Sequence, residues 1–229
     1  MLSRKWISAA AAICGLLVAT SASAISLTVG DNVAVRGGPG GIFGPANLFQ
    51  SNRSFNINGS QETKSLGLFD LQTRAYGSND SWSQFFAFCL EPSSPLLPFD
   101  SQGYTVQAYS DQQVRELWGR FYAGIDTRLE AAAFQIALWE LQVDTVIDLA
   151  AGNFQAPGSA PSYNAVTQAA AWLAALDGSG PLARLVQLSS NDTAVDAQDL
   201  ITSVPEPASL ALFGLGLLGL GMARRRRAP

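Results

Sequence analysis

Any chemistry in this chain has to be done without histidine, because the sequence contains none. Ser-His-Asp triads, Cys-His pairs and histidine zinc sites are therefore excluded. The two cysteines are Cys14 and Cys89, too few for a multi-cysteine zinc site. A Ser-Lys dyad would have to use Lys64, whose neighbours resemble no such site. Four acids, Glu91, Glu116, Glu130 and Glu140, are available to a carboxylate hydrolase acting on polysaccharide, but none sits in a motif that pairs it with another at a glycosidase separation. The Gly37–Gly44 stretch, GGPGGIFG, is a surface loop rather than a phosphate cradle: Pro39 removes an amide donor and no Gly-Lys-Ser/Thr follows. Ser78-Asn79-Asp80 reads as a turn, without the alternating ligands and closing Glu of a calcium loop. What stands out is a pair of short stretches, FAFCLEP around Cys89 and AAAFQIALWEL around Gln135.

The elements that must carry these residues change character along the chain. From Ile25 to Tyr109 the pattern is β-like: ISLTVGDNVAV, SLGLFDLQTRAY, SWSQFFAFCL and YTVQAY alternate or are rich in β-formers. RGGPGGIFGP, NINGSQ, YGSNDS and EPSSPLLPFD punctuate them as turns and loops. After Asp111 the period becomes helical. Val114, Leu117, Trp118 and Phe121 share one face, with Asp111 as N-cap and Glu116 four residues before Arg120. A second, largely buried helix follows over RLEAAAFQIALWELQV, and a third over SYNAVTQAAAWLAALDG, with Ser162 as cap and Gly178 as stop. The expected organisation is one α+β domain, β-rich over 25–109 and helical over 110–189, with a polar linker at 190–203. Four Asn-x-Ser/Thr triplets, at Asn52, Asn58, Asn79 and Asn191, are read as loop composition.

Both ends carry addresses. MLSRKWISAAAAICGLLVATSASA has Arg4 and Lys5 ahead of an apolar run and Ala22-Ser23-Ala24 as a small-residue cleavage site, a secretory signal peptide over 1–24 that removes Cys14. At the C-terminus, Pro205, Glu206 and Pro207 precede an apolar transmembrane segment at 208–223 and the arginines Arg224 to Arg227. The segment is short of the roughly 20 residues that span a bilayer comfortably. Its arginines would stay in the cytoplasm by the positive-inside rule. These three elements, in this order over 204–229, closely resemble the PEP-CTERM sorting signal. That resemblance implies an exported protein of a Gram-negative bacterium, anchored transiently in the inner membrane, processed by an exosortase that reads Pro205, Glu206 and Pro207, and passed to the surface or beyond. Without residues 1–24 and 205–229 the chain keeps 8 basic and 17 acidic residues, a net charge of −9, which makes nucleic acid an unsuitable partner.

The Cys89 and Gln135 stretches resemble the aromatic-Cys and Gln-x-Ala-aliphatic-Trp motifs of bacterial surface thioester domains, over Phe85 to Leu141. In those domains the cysteine sulfur and the glutamine carbonyl join with loss of ammonia. The resemblance implies Cys89 as sulfur donor, Gln135 as acyl donor and Trp139 as packing neighbour, with an incoming surface amine as the group captured. Glu91 or Glu140 could assist proton transfer. The plainer reading is that Cys89 is a small buried hydrophobe and Gln135 a hydrogen-bonded helix residue. The expected role is thus a structural or adhesive one in the envelope or an exopolysaccharide matrix, with the thioester adhesin and the hydrolase as alternatives. Neither cofactor nor metal nor enzymatic turnover is expected.

Overall fold

This computed structural model describes residues 27–43, 48–95, 100–156, 164–191 and 197–204. The signal peptide, Ser162, the motif Pro205-Glu206-Pro207 and the segment 208–223 lie outside the described residues.

The described residues form nine strands: β1 (Asn32–Gly37), β2 (Phe49–Ile57), β3 (Ser60–Gly67), β4 (Phe69–Ala75), β5 (Ser83–Cys89), β6 (Asp100–Tyr109), β7 (Phe154–Gln155), β8 (Leu185–Ser190) and β9 (Leu200–Ser203). Six close into a barrel in the order β1-β4-β5-β9-β8-β6, and β3-β2-β7 form a second sheet. Inside the barrel Val33 and Val35, Leu71 and Thr73, Phe85 and Ala87, and Tyr104 and Val106 repeat at period two, and all are buried. Closure leaves these strands no free edge. In the second sheet, β2 and β3 are joined through Asn58 and Gly59, both at positive φ (52° and 80°), the two-residue Asn-Gly turn whose twist suits a hairpin.

Among the described residues three α-helices follow the sequence periods. In α1 (Gln112–Phe121) Asp111 caps the first turn by accepting the Val114 N–H at 2.9 Å, and Glu116 meets Arg120 at 2.7 Å. α2 (Arg128–Val143) begins in a capping box between Thr127 and Glu130. Every residue from Ala131 to Glu140 is buried, because α2 lies between the second sheet and the helices α1 and α3 (Asn164–Ala174). Phe55, Trp139 and Phe154 join α2 to that sheet, while Phe88, Trp118, Tyr122 and Phe134 join it to β5 and α1. Such ring pairs add about 0.5–1.5 kcal/mol each beyond the area they bury.

The α+β class is as expected, but its division along the chain is not. The stretch expected to be helical to 189 supplies β7 and β8, and the expected linker at 190–203 ends in β9, which fills the barrel position between β5 and β8. Leu185, Val186, Leu188, Leu200 and Ile201 are all buried there, so burial of apolar surface draws this polar stretch into the domain. The chain leaves the barrel at Val204, whose N–H donates to the Arg184 carbonyl.

Candidate functional site

The geometry around Cys89 is set by where one strand stops. β3 ends at Gly67, whose φ of 132° and approach to the Leu48 carbonyl let the backbone cross from the second sheet into the barrel. An added Cβ there would lie 2.2 Å from that carbonyl oxygen. β4 therefore begins only at Phe69, which pairs with Ala87 of β5. Two residues further along β5, Cys89 presents its N–H and C=O to the same side, past the start of β4. Gln135, near the middle of α2, takes the place of the missing strand. Its Oε1 accepts the Cys89 N–H at 3.2 Å and its Nε2 donates to the Cys89 carbonyl at 2.7 Å. Both residues are buried, so each bond replaces an orphaned backbone group.

Residues 46 apart in sequence thus meet through an amide and a peptide group, with the sulfur alongside. The Cys89 thiol donates to the Glu91 carbonyl at 3.2 Å. Burial pushes its pKa well above the ordinary thiol range, outweighing the Trp139 indole N–H and the hydrogen bond to Glu91 that favour the thiolate. That indole N–H is buried and has no acceptor of ordinary hydrogen-bond geometry among the described residues. Trp139 also lines a cavity of about 260 Å³ together with Phe43, Lys64, Ser94 and Gln198. At its rim Lys64 pairs with Glu62 at 2.7 Å. Neither Cys89 nor Gln135 is among the described residues that line this cavity; Trp139, four residues after Gln135 on α2, is the link between the cavity and the pair. The neutral thiol and the carboxamide whose oxygen already faces an N–H donor form the setting in which acyl transfer between sulfur and carbonyl can be considered.

The four glutamates are held apart in separate networks, and none of them bonds another of the four. Glu91 Oε2 accepts from Ser94 Oγ at 3.0 Å while its carbonyl takes the Cys89 thiol and Gln198 Nε2. Glu116 accepts from Arg120 and from the N–H groups of Gly178 and Gly180. Glu130 belongs to the capping box. Glu140 accepts the Asp148 N–H at 2.6 Å, leaves Oε2 buried without a partner among the described residues, and is pushed up to about 7 by burial and by the charges of Asp144 and Asp148. Of the two acids named for proton transfer, Glu91 reaches the sulfur through its backbone, whereas Glu140 bonds the loop after α2. The sequence motifs located Cys89 and Gln135; the roles of Ser94 and Gln198 around Glu91 carried no sequence signal, being made by contacts more than 100 residues apart for Gln198.

The comparisons with known proteins bear on the tail alone. No curated protein matches the chain, and no solved structure does. Residues 203–227 match the PEP-CTERM protein-sorting motif. The described residues contain no helix long and apolar enough to cross a membrane, and most of the matched segment lies beyond them. The motif begins at the last residue of β9, so the folded barrel passes into its sorting signal without an intervening spacer. The chain carries the signal of an exported protein that is held transiently at the membrane and processed by an exosortase.

Proposed function

We propose that this exosortase substrate serves an adhesive role at the cell surface through a thioester between Cys89 and Gln135, formed once and discharged once. The observation that carries the reading is the Gln135 carboxamide seated on the Cys89 backbone in a buried site. The step requires Sγ to leave the Glu91 carbonyl and reach the Gln135 Cδ. The S–H bond breaks, an S–C bond forms, and the developing oxyanion on Oε1 is met by the Cys89 N–H. The C–N bond then breaks and the thiol proton leaves with Nε2 as ammonia. An amine that passes Trp139 from the cavity at Lys64 and Ser94 would attack the same carbon, form an amide with Gln135 and return the thiol. No histidine is required by this sequence of steps. Loss of Nε2 also leaves the Cys89 carbonyl without its donor, a cost that favours discharge.

The test uses the exported, processed protein and a biotinylated primary amine. Label should appear on the wild type at Gln135 and be absent from Cys89→Ala, which keeps both backbone hydrogen bonds. Equal labelling of the two proteins, or none of either, counts against the thioester. In that event a structural role in the envelope or matrix, supported by a closed barrel that runs directly into the sorting motif, is the reading left standing.

A further inference from the structure

A cavity of about 370 Å³, within the range of small-molecule sites, lies at the end of the barrel remote from Cys89. β1 starts there at Asn32, β4 stops at Ala75 and β5 starts at Ser83, with Val33 opposite Ala75 and Thr73 opposite Ser83. Ser83 and Cys89 stand at the two ends of β5, about 20 Å apart. The walls are mostly polar: Asp31 and Asn32 from the start of β1, Thr73 and Arg74 from the end of β4, Asp80 from the turn that follows and Ser83 from the start of β5. Thr73 is the informative residue. It alternates with Leu71 on the inner face of the barrel and is 4% exposed, yet its Oγ1 is buried with no hydrogen-bond partner among the described residues. A valine of the same shape would fill that place without the cost of an unpaired hydroxyl. Arg74 Nε is likewise buried without a partner among the described residues. Its guanidinium is fixed at the wall, the carbon 4.5 Å from the centre of the Trp82 ring that Arg36 also covers at 4.1 Å, and one terminal nitrogen donates to the Asp80 carbonyl at 3.5 Å.

Both signs of charge line this cavity, which suits a neutral molecule rich in groups that donate and accept. Asp31 and Asp80 disfavour an anion there, by like-charge repulsion. Among the described residues no group of three His, Cys, Asp or Glu side chains is placed to hold a metal ion. A sugar ring meets the requirement, because each hydroxyl can donate to a carboxylate and accept from Arg74, Ser83 or the free Thr73 hydroxyl. Tyr76, next after the lining residue Ala75, adds an aromatic outside the cavity. Its N–H donates to the Asn32 carbonyl at 3.0 Å and its side chain is 60% exposed. The ring rests against Gly103 of β6, where an added Cβ would lie 2.9 Å from Cε2. An exposed ring held in this way offers its electron-rich face to the C–H groups of a sugar. We propose that this end of the barrel binds the end of a neutral oligosaccharide, its terminal ring in the cavity against Thr73, Asp31, Asp80 and Arg74 and the next ring against Tyr76.

This site does not depend on the Cys89–Gln135 reading, and the experiment separates the two. The exported, processed protein is applied to an array of immobilised neutral oligosaccharides of glucose, galactose, mannose and xylose beside uronate-bearing ones, and the best-bound trisaccharide is then titrated calorimetrically. Binding confined to neutral members is expected, weakened about tenfold or more by Asp80→Asn, which removes a charge-assisted hydrogen bond, and by Tyr76→Ala. Thr73→Val should weaken binding while its urea midpoint stays at the wild-type value or above it, since the lost hydroxyl has no partner among the described residues. A hydroxyl that only packs would leave the affinity unmoved. Cys89→Ala and the exposed-site control Arg184→Gln should bind as the wild type does, and EDTA should change nothing. Absence of binding to every neutral member, equal binding of uronate-bearing ones, loss of binding with EDTA, or a Thr73→Val protein that binds as the wild type does overturns the assignment.

Discussion

Replacing Gln135 by Met in a Cys89→Ala background isolates the two hydrogen bonds that connect α2 to the end of β5. Alanine at 89 leaves the backbone N–H and C=O in place and forbids any bond to sulfur. Methionine at 135 keeps the length and volume of the side chain but offers neither donor nor acceptor of comparable strength. Both positions are at most 2% exposed, so water does not replace what is lost. Each orphaned backbone group then costs about 1–3 kcal/mol. With bonds of 3.2 and 2.7 Å removed together, the double variant should be about 2–4 kcal/mol less stable than Cys89→Ala alone. Cys89→Ala by itself should cost about 1 kcal/mol, chiefly the burial of one sulfur. Urea unfolding of the exported proteins measures both, read as a lower midpoint at unchanged m. If Gln135→Met costs less than about 0.5 kcal/mol, Gln135 is not standing in for a strand and the argument from the start of β4 fails.

Glu140 should make the protein less stable as pH rises. Its folded-state pKa, pushed up to about 7, lies above the value of 4.5 expected when exposed, so the penalty sets in above about pH 4.5 and is complete above about 7. It should reach on the order of 3 kcal/mol. Glu140→Gln should flatten that part of the stability profile between pH 5 and 8, and an unchanged profile would remove the burial argument. Glu116→Ala should lower stability by about 3–5 kcal/mol in the same urea assay, because it strips a fully buried carboxylate from Arg120 and from two N–H groups of the 178–180 turn. Gly67→Ala should cost about 2 kcal/mol or more, since its Cβ would press on the Leu48 carbonyl at a φ that L-residues rarely adopt. A thermal melt of that variant matching the wild type would mean the crossover into β4 is not under this constraint.

Much of the architecture was legible where a local pattern carries it. Asp111, the Glu116–Arg120 spacing, the Asn58-Gly59 turn and the alanine-rich face around Gln135 each announce an element through neighbours in sequence. β9 could not announce itself in this way. Four residues, Leu200–Ser203, are too few to show a period, and they become a strand only because β8, just before them, and β5, far away in the chain, offer open edges on both sides. The site divides similarly. The aromatic-Cys and Gln-x-Ala motifs named Cys89 and Gln135, but the way Gln135 engages Cys89 depends on where β4 starts, which Gly67 decides from the second sheet. The Arg36–Trp82–Arg74 stack was equally invisible, because each member is an ordinary residue until the register of β1, β4 and β5 aligns them.

The intact mass of the exported, processed protein, recorded before and after methylamine, tests the central claim most directly. The thioester account expects a chain lighter than its sequence by one ammonia, shifting after methylamine to one methylene group above the sequence mass, with the addition mapped to Gln135. A mass equal to that of the sequence, unchanged by methylamine, with Cys89 titrating as a free thiol after unfolding, would contradict it.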